Sequence, residues 1–242
     1  MTTKFYNGTT KKPMIRSVIF IFLLMFLAMP AAAKDGKELP IILELFTAQS
    51  CPYCPQAEAL LAEYIKLPRV IGYSCHVART RSDMAVSYPF CARRQEYYER
   101  VLQTSGPYTP QMVVNGVAEV IGYNQKKIAA AAAMTIADIG QIKIKASTPT
   151  LFLLDMPAAK PEDYMIVVAR IDKPVRATGR YAMGGKRVYH NLASQFSDDM
   201  KWEGKPGPVY MSLIRENNTK GFIVLAQKIS TGKIVAAGQH LF

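Results

Sequence analysis

Two cysteines separated by two residues, Cys51-Pro52-Tyr53-Cys54, stand where an apolar run gives way to a helical pattern, and no other feature constrains the chain as strongly. The run before them, Ile41-Ile42-Leu43-Glu44-Leu45-Phe46, is bounded by Thr47-Ala48-Gln49-Ser50 and reads as a buried strand. After them, Ala57, Leu60, Leu61, Tyr64 and Ile65 recur at i, i+3, i+4, i+7 and i+8, the apolar stripe of an amphipathic helix. Pro55 is tolerated in the first turn of that helix and Pro68 ends it.

Val70 to Val77 reads as a second strand, so the cysteine pair lies inside a strand-helix-strand unit expected to close as a right-handed parallel crossover. Residues 78–92 look polar and irregular, and helical spacing resumes from Arg93 to Thr104 with Tyr97, Tyr98, Val101 and Leu102 inward. Gln111 to Val114 and Val117 to Gly122 flank Asn115-Gly116, a hairpin signal because Asn-Gly readily takes positive φ at both turn positions. A last helix runs from about Asn124 to Ala137. This order of elements predicts an α/β, thioredoxin-like fold over residues 34–140. Beyond Gly140 six strand-like runs follow, Gln141 to Ser147, Leu151 to Asp155, Tyr164 to Asp172, Val209 to Arg215, Phe222 to Ser230 and Lys233 to Leu241, which predicts a mostly antiparallel β domain over residues 141–242.

The amino terminus sets the expected compartment. Lys4, Lys11, Lys12 and Arg16 precede an unbroken apolar run from Val18 to Met29, followed by Pro30-Ala31-Ala32-Ala33, which reads as a signal peptide cleaved after Ala33. About a dozen apolar residues fall short of the roughly 20 that a membrane-spanning helix needs, so no stable membrane anchor is expected. Losing four basic residues lowers the formal charge from +12 to +8, and half of the chain is hydrophobic, enough for a sizeable core. The basic balance suits acidic surfaces or substrates, whereas the absence of an Arg-rich arm or RNA-binding aromatic motif argues against nucleic acid. Four cysteines, all between residues 51 and 91, fit an oxidising periplasmic or secreted location.

At a helix amino terminus, unpaired backbone N–H groups and the helix dipole stabilise a thiolate, the reactive form of cysteine. Cys51 is therefore expected to be the exposed attacking nucleophile and Cys54, one turn further in, the resolving thiol. A structural disulfide and half of a zinc site are the alternatives for this spacing. Cys75 and His76 make a poor second pair for zinc, because adjacent residues of a strand project to opposite faces. Tyr108-Thr109-Pro110-Gln111 places a proline directly before a strand, where a cis bond at Pro110 would set the Thr109 backbone against Cys51 and offer hydrogen bonds to a docked substrate; an ordinary trans loop proline is the alternative. Glu44 interrupts an apolar strand leading to the cysteines, and reads either as a proton-transfer partner of Cys54 or as an acid facing a salt bridge or solvent at a sheet edge. A bridge between Cys75 and Cys91 would close a loop of about 16 residues, a structural clamp in preference to a second redox pair.

Four stretches together resemble a family of secreted thioredoxin-like proteins, domain-of-unknown-function family 1223. They are Leu43 to Cys51 with Cys54-Pro55, then Tyr108 to Gly116, then Val188-Tyr189-His190-Asn191-Leu192, and Ile234-Val235-Ala236-Ala237. The resemblance implies export, a thioredoxin-like core and an unassigned redox role. Against the family pattern, Pro52-Tyr53 replaces a small polar pair, and Cys75 and Cys91 replace an aspartate- and tryptophan-bearing stretch after His76. Cys-Pro-Tyr-Cys is the sequence of glutaredoxins, more oxidising than thioredoxin. The function expected is thiol-disulfide exchange with the thiols or disulfides of exported proteins, supported by a redox partner protein and needing no cofactor. The alternative is copper handling by Cys51, Cys54 and His76, against which stand only three histidines and no Met- or His-rich tract.

Overall fold

The computed structural model describes residues 39–135, 139–177 and 187–242, so the expected signal peptide over residues 1–33 lies outside the described residues. The described residues form one compact unit of mixed α/β structure, with three α-helices and mostly antiparallel sheets among them. No described helix is long and apolar enough to cross a membrane.

The first sheet has the order β2-β1-β3-β4. Strand β1 (Ile41–Thr47) lies parallel to β2 (Val70–His76), with helix α1 (Cys54–Tyr64) between them in sequence. Strand β3 (Gln111–Val114) runs antiparallel to β1, and a turn with positive φ at Asn115 and Gly116 returns the chain into β4 (Ala118–Ile121). All seven residues of β1 are buried, because both faces of the strand are covered. Leu43 and Leu45 pack with Ala57 and Leu61 of α1 and with Ile128 of helix α3 (Gln125–Met134), while Ile42 and Phe46 join a second cluster with Tyr98 of helix α2 (Pro89–Leu102).

The expected irregular stretch 78–92 is shorter than the sequence suggests. It holds a one-turn 3₁₀ helix at Arg81–Ala85, and α2 begins at Pro89 rather than Arg93. Proline needs no N–H donor in the first turn, so Pro89 opens the helix instead of breaking it.

The carboxyl-terminal half builds a five-stranded sheet of order β11-β8-β13-β14-β5 from β5 (Gly140–Gln141), β8 (Tyr164–Asp172), β11 (Ala193–Trp202), β13 (Thr219–Lys228) and β14 (Ile234–Leu241). A three-stranded sheet of β6 (Lys143–Ala146), β7 (Leu151–Met156) and β12 (Gly207–Ser212) and a two-stranded ribbon of β9 (Val175–Arg176) and β10 (Val188–Tyr189) complete it. Strand β11 has no counterpart in the sequence reading: it is a polar edge strand with two register shifts against β8, so its alternation is broken. Ile223 and Leu225 of β13 enter the cluster that holds Ile42, Phe46 and Tyr98, so the residues on either side of Gly140 share a core.

Candidate functional site

At the end of β1 the chain turns sharply, with the Cys51 N–H donating to the Ala48 carbonyl at 3.3 Å and the Cys54 N–H to the Cys51 carbonyl at 3.3 Å. Cys54 is the first residue of α1, with Pro55 beside it in the first turn, and Cys51 precedes the helix. The expectation that Cys51 opens the helix with Cys54 a turn inside is thus corrected: the intervening Pro52-Tyr53 form the turn. Cys51 and Cys54 are joined by a disulfide, Cys51 half-buried and Cys54 fully buried. The Thr109–Pro110 peptide bond is cis, and the Thr109 carbonyl oxygen lies 3.5 Å from Cys51 Sγ. A disulfide sulfur has no proton to give, so that contact becomes a hydrogen bond only when Cys51 is a thiol.

The turn is held from two sides. From α1, the Glu58 carboxylate accepts the Thr47 hydroxyl at 2.7 Å and both Nε and Nη2 of Arg187. Arg187 also donates to the carbonyls of Gln49 at 2.7 Å and Ala48 at 3.1 Å, so its planar fork ties the turn to the helix. Burial pushes the Glu58 carboxyl above its ordinary value, which Arg187 and Thr47 partly offset. From the other side, the buried Asp83 accepts the Ser50 N–H at 2.6 Å and the Ser50 hydroxyl at 2.8 Å. Burial alone would raise the Asp83 carboxyl, but the donors of Ser50, Thr80 and Arg79 hold it below its ordinary value. Neither clamp was anticipated from sequence. The Thr80-x-x-Asp83 spacing of a capping box was the one readable signal, and it is formed here.

Glu44 faces a salt bridge, as the second of its two readings expected, but inside the sheet and not at its edge. Strand β1 is central, not an edge, and its Glu44 lies on the face opposite Leu43, Leu45 and helix α1. The parallel register sets Glu44 beside Tyr73, whose hydroxyl donates to it, as does that of Tyr98. Arg94 closes the cluster with two donors, Nη2 at 2.9 Å from Glu44 Oε1 and Nε on Oε2, and its Nη1 reaches Gln227 of β13 at 3.2 Å. Burial first, and then the Glu44 carboxylate, raises the Tyr73 and Tyr98 phenols well above their ordinary value, so both donate as neutral hydroxyls. Glu44 is therefore fully occupied in a buried ion-pair network.

Cys75 of β2 and Cys91 of α2 form a second disulfide, and both are fully buried. His76, the third copper ligand considered, is also fully buried, packed edge-on against Tyr189 at 4.2 Å, and burial lowers it to about 3. Among the described residues no group of three His, Cys, Asp or Glu side chains is placed to hold a metal ion.

Two solved structures are similar to this chain. Protein AGR_C_4864 from Agrobacterium tumefaciens aligns with a TM-score of 0.70 at 24% identity, over 85% of this chain and 96% of its own. HBP35 of Porphyromonas gingivalis aligns with a TM-score of 0.61 at 15% identity, over 84% of this chain and 75% of its own. At these identities the likeness is one of fold. A search of curated proteins returned no match. The model of one family, described as "Protein of unknown function (DUF1223)", matches residues 42–227, and the chain belongs to that family.

Proposed function

We propose that this chain is an exported thiol-disulfide oxidoreductase with a thioredoxin-like core, exchanging disulfides with exported proteins through Cys51 and Cys54. The observation that carries the reading is the asymmetric cystine at the start of α1: Cys51 is accessible, Cys54 is covered, and a backbone carbonyl faces the outer sulfur. The β2-β1-β3-β4 order, with β1 leading into that helix and β3 following Pro110, supports the thioredoxin-like assignment.

In the oxidised form, a partner thiolate attacks Cys51 Sγ. The Cys51–Cys54 bond breaks, a mixed disulfide forms, and Cys54 leaves as a thiolate that takes up a proton. The partner's second thiolate then attacks the partner sulfur of the mixed disulfide and releases Cys51. The partner dithiol has lost two electrons and two protons, and the cysteine pair has gained them. The reverse sequence reduces a partner disulfide. The amino terminus of α1 favours the thiolate that forms in either direction, and Thr109 offers its backbone to the incoming chain. The test is substitution: Cys51→Ala should abolish exchange with a model dithiol, whereas reduced Cys54→Ala offered a model disulfide should accumulate mixed disulfides detectable by mass spectrometry. Equal loss in both variants with no adduct would refute the assignment.

A further inference from the structure

The loop from Val77 to Tyr88 is built more firmly than a surface loop between a strand and a helix requires. The Cys75–Cys91 disulfide ties its two ends together. Its middle is fixed by Asp83, which gathers the N–H groups of Arg79 at 2.9 Å and Thr80 at 2.6 Å as well as the two donors of Ser50, the residue before Cys51. The carboxylate is turned inward and saturated, while Arg79 and Arg81 on the same loop are exposed, and neither forms an ion pair with a described residue.

The position of Arg79 is set at both ends. Its backbone N–H shares Asp83 Oδ2 with the Ser50 hydroxyl. Its guanidinium lies 3.5 Å from Gln95 Oε1, and Gln95 Nε2 donates at 2.8 Å to the carbonyl of Tyr108, the neighbour of Thr109. Arg79 thus reaches from the residue that precedes Cys51 to the segment that faces its sulfur. On the opposite flank the exposed Tyr53 ring packs against exposed Tyr123 at 5.8 Å, and Lys126 and Lys127 follow at the start of α3, also exposed. Three carboxylates around the site are spent on this chain's own donors: Asp83 on the loop, Glu58 on Arg187 and Thr47, Glu119 on the Tyr108 hydroxyl.

Resting on the exchange reading above, we propose that this lip recognises an acidic polypeptide segment, with Arg79 taking a carboxylate close in sequence to the partner's reacting cysteine. A guanidinium held in place and left without a carboxylate is suited to bind one in a forked pair. An extended chain advances about 3.3 Å per residue, so an acid a few positions from the docked sulfur spans the distance to the Arg79 side of the site. The surrounding exposed cations add attraction at longer range.

The test compares three single-cysteine peptides, identical except for Asp, Ser or Lys at the flanking positions, each activated as a neutral 2-thiopyridyl disulfide. Attack by the reduced protein's Cys51 forms the peptide adduct and releases 2-thiopyridone, whose absorbance gives the rate. At about 0.01 M salt, where screening is weak over about 30 Å, the Asp peptide should react about tenfold faster than the Ser peptide and the Lys peptide slowest. Arg79→Gln should narrow the Asp-to-Ser ratio below about threefold, a ratio that a general loss of reactivity would leave alone. Lys145→Gln, the same loss of charge on β6, should leave the ratio at its original value. Raising the salt should compress the wild-type ratio, which tests the charge dependence without any variant. Equal rates for the three peptides, or an Arg79→Gln effect no larger than that of Lys145→Gln, would overturn the recognition. If no peptide releases 2-thiopyridone, the exchange reading itself has failed and this inference with it.

Discussion

The two disulfides lie within one sheet and its flanking helices, yet they are opposite in design. Cys51–Cys54 spans three positions at the outer end of β1, in a turn, with one sulfur half-buried. Cys75–Cys91 spans sixteen positions and joins β2 to α2 inside the hydrophobic cluster of Phe46, Tyr73 and Tyr98, with both residues fully buried. Chain entropy rewards the second far more than the first, because closing a longer loop removes more freedom from the unfolded chain. Access rewards only the first, since exchange needs a line of attack on sulfur. On the exchange reading proposed above, one kind of bond would be divided between chemistry and restraint by loop length and burial.

The largest expected difference between them is in accessibility. A mild dithiol applied to the folded protein should open Cys51–Cys54 alone. Alkylation followed by peptide mapping should then label Cys51 and Cys54, with Cys75 and Cys91 labelled on the order of a hundredfold more slowly until denaturant is added, because reaching them requires unfolding the core. Native labelling of Cys75 at a comparable rate would erase the distinction.

Removing the buried bridge sharpens the contrast from the other side. Cys75→Ala with Cys91→Ala should lower stability by roughly 3 kcal/mol in the chain-entropy account, a fall in melting temperature of roughly 6–12 °C for a chain of this size. Reaction of Cys51 with a small neutral disulfide should persist, since the Asp83 bonds to Ser50 do not pass through either sulfur. A variant that keeps its melting temperature but loses turnover would make the second pair a redox relay instead.

The elements that position Cys51 were legible because they are local. The apolar run of β1, the stripe of α1, the Asn115-Gly116 turn and the strand Gln111–Val114 each depend on residues a few positions apart. The clamps were not, since Glu44 finds Tyr73, Arg94 and Tyr98 at separations of 29, 50 and 54 residues, and Glu58 finds Arg187 at 129. An acid in an apolar strand announces that a partner is needed without saying which. The same holds for β11, whose polar residues read as loop until β8 is in place to pair with them.

His76 offers the smallest and most specific test of the contrast, because it follows Cys75 in β2 and shares its seclusion. Among the described residues neither ring nitrogen has a hydrogen-bond partner, and the Tyr189 hydroxyl nearby has none either. Burial foremost, with the Arg187 charge adding to it and Asp83 opposing it, lowers His76 from 6.5 to about 3. The unfolded chain therefore binds a proton at this residue below about pH 6.5 that the folded chain refuses until about pH 3. Stability should fall as the pH drops through that window, with a limiting slope of about 1.4 kcal/mol per pH unit for one proton. Glu58, raised by burial, acts in the opposite sense around its own transition, so the informative quantity is a difference between proteins. His76→Phe keeps an aromatic ring against Tyr189 and removes the titrating group. Denaturant titrations between pH 4 and pH 6.5 should show the variant losing less stability on acidification than the wild type. Parallel curves would mean that His76 takes up its proton in the folded state, and that the region around the second disulfide is wetter than its burial implies.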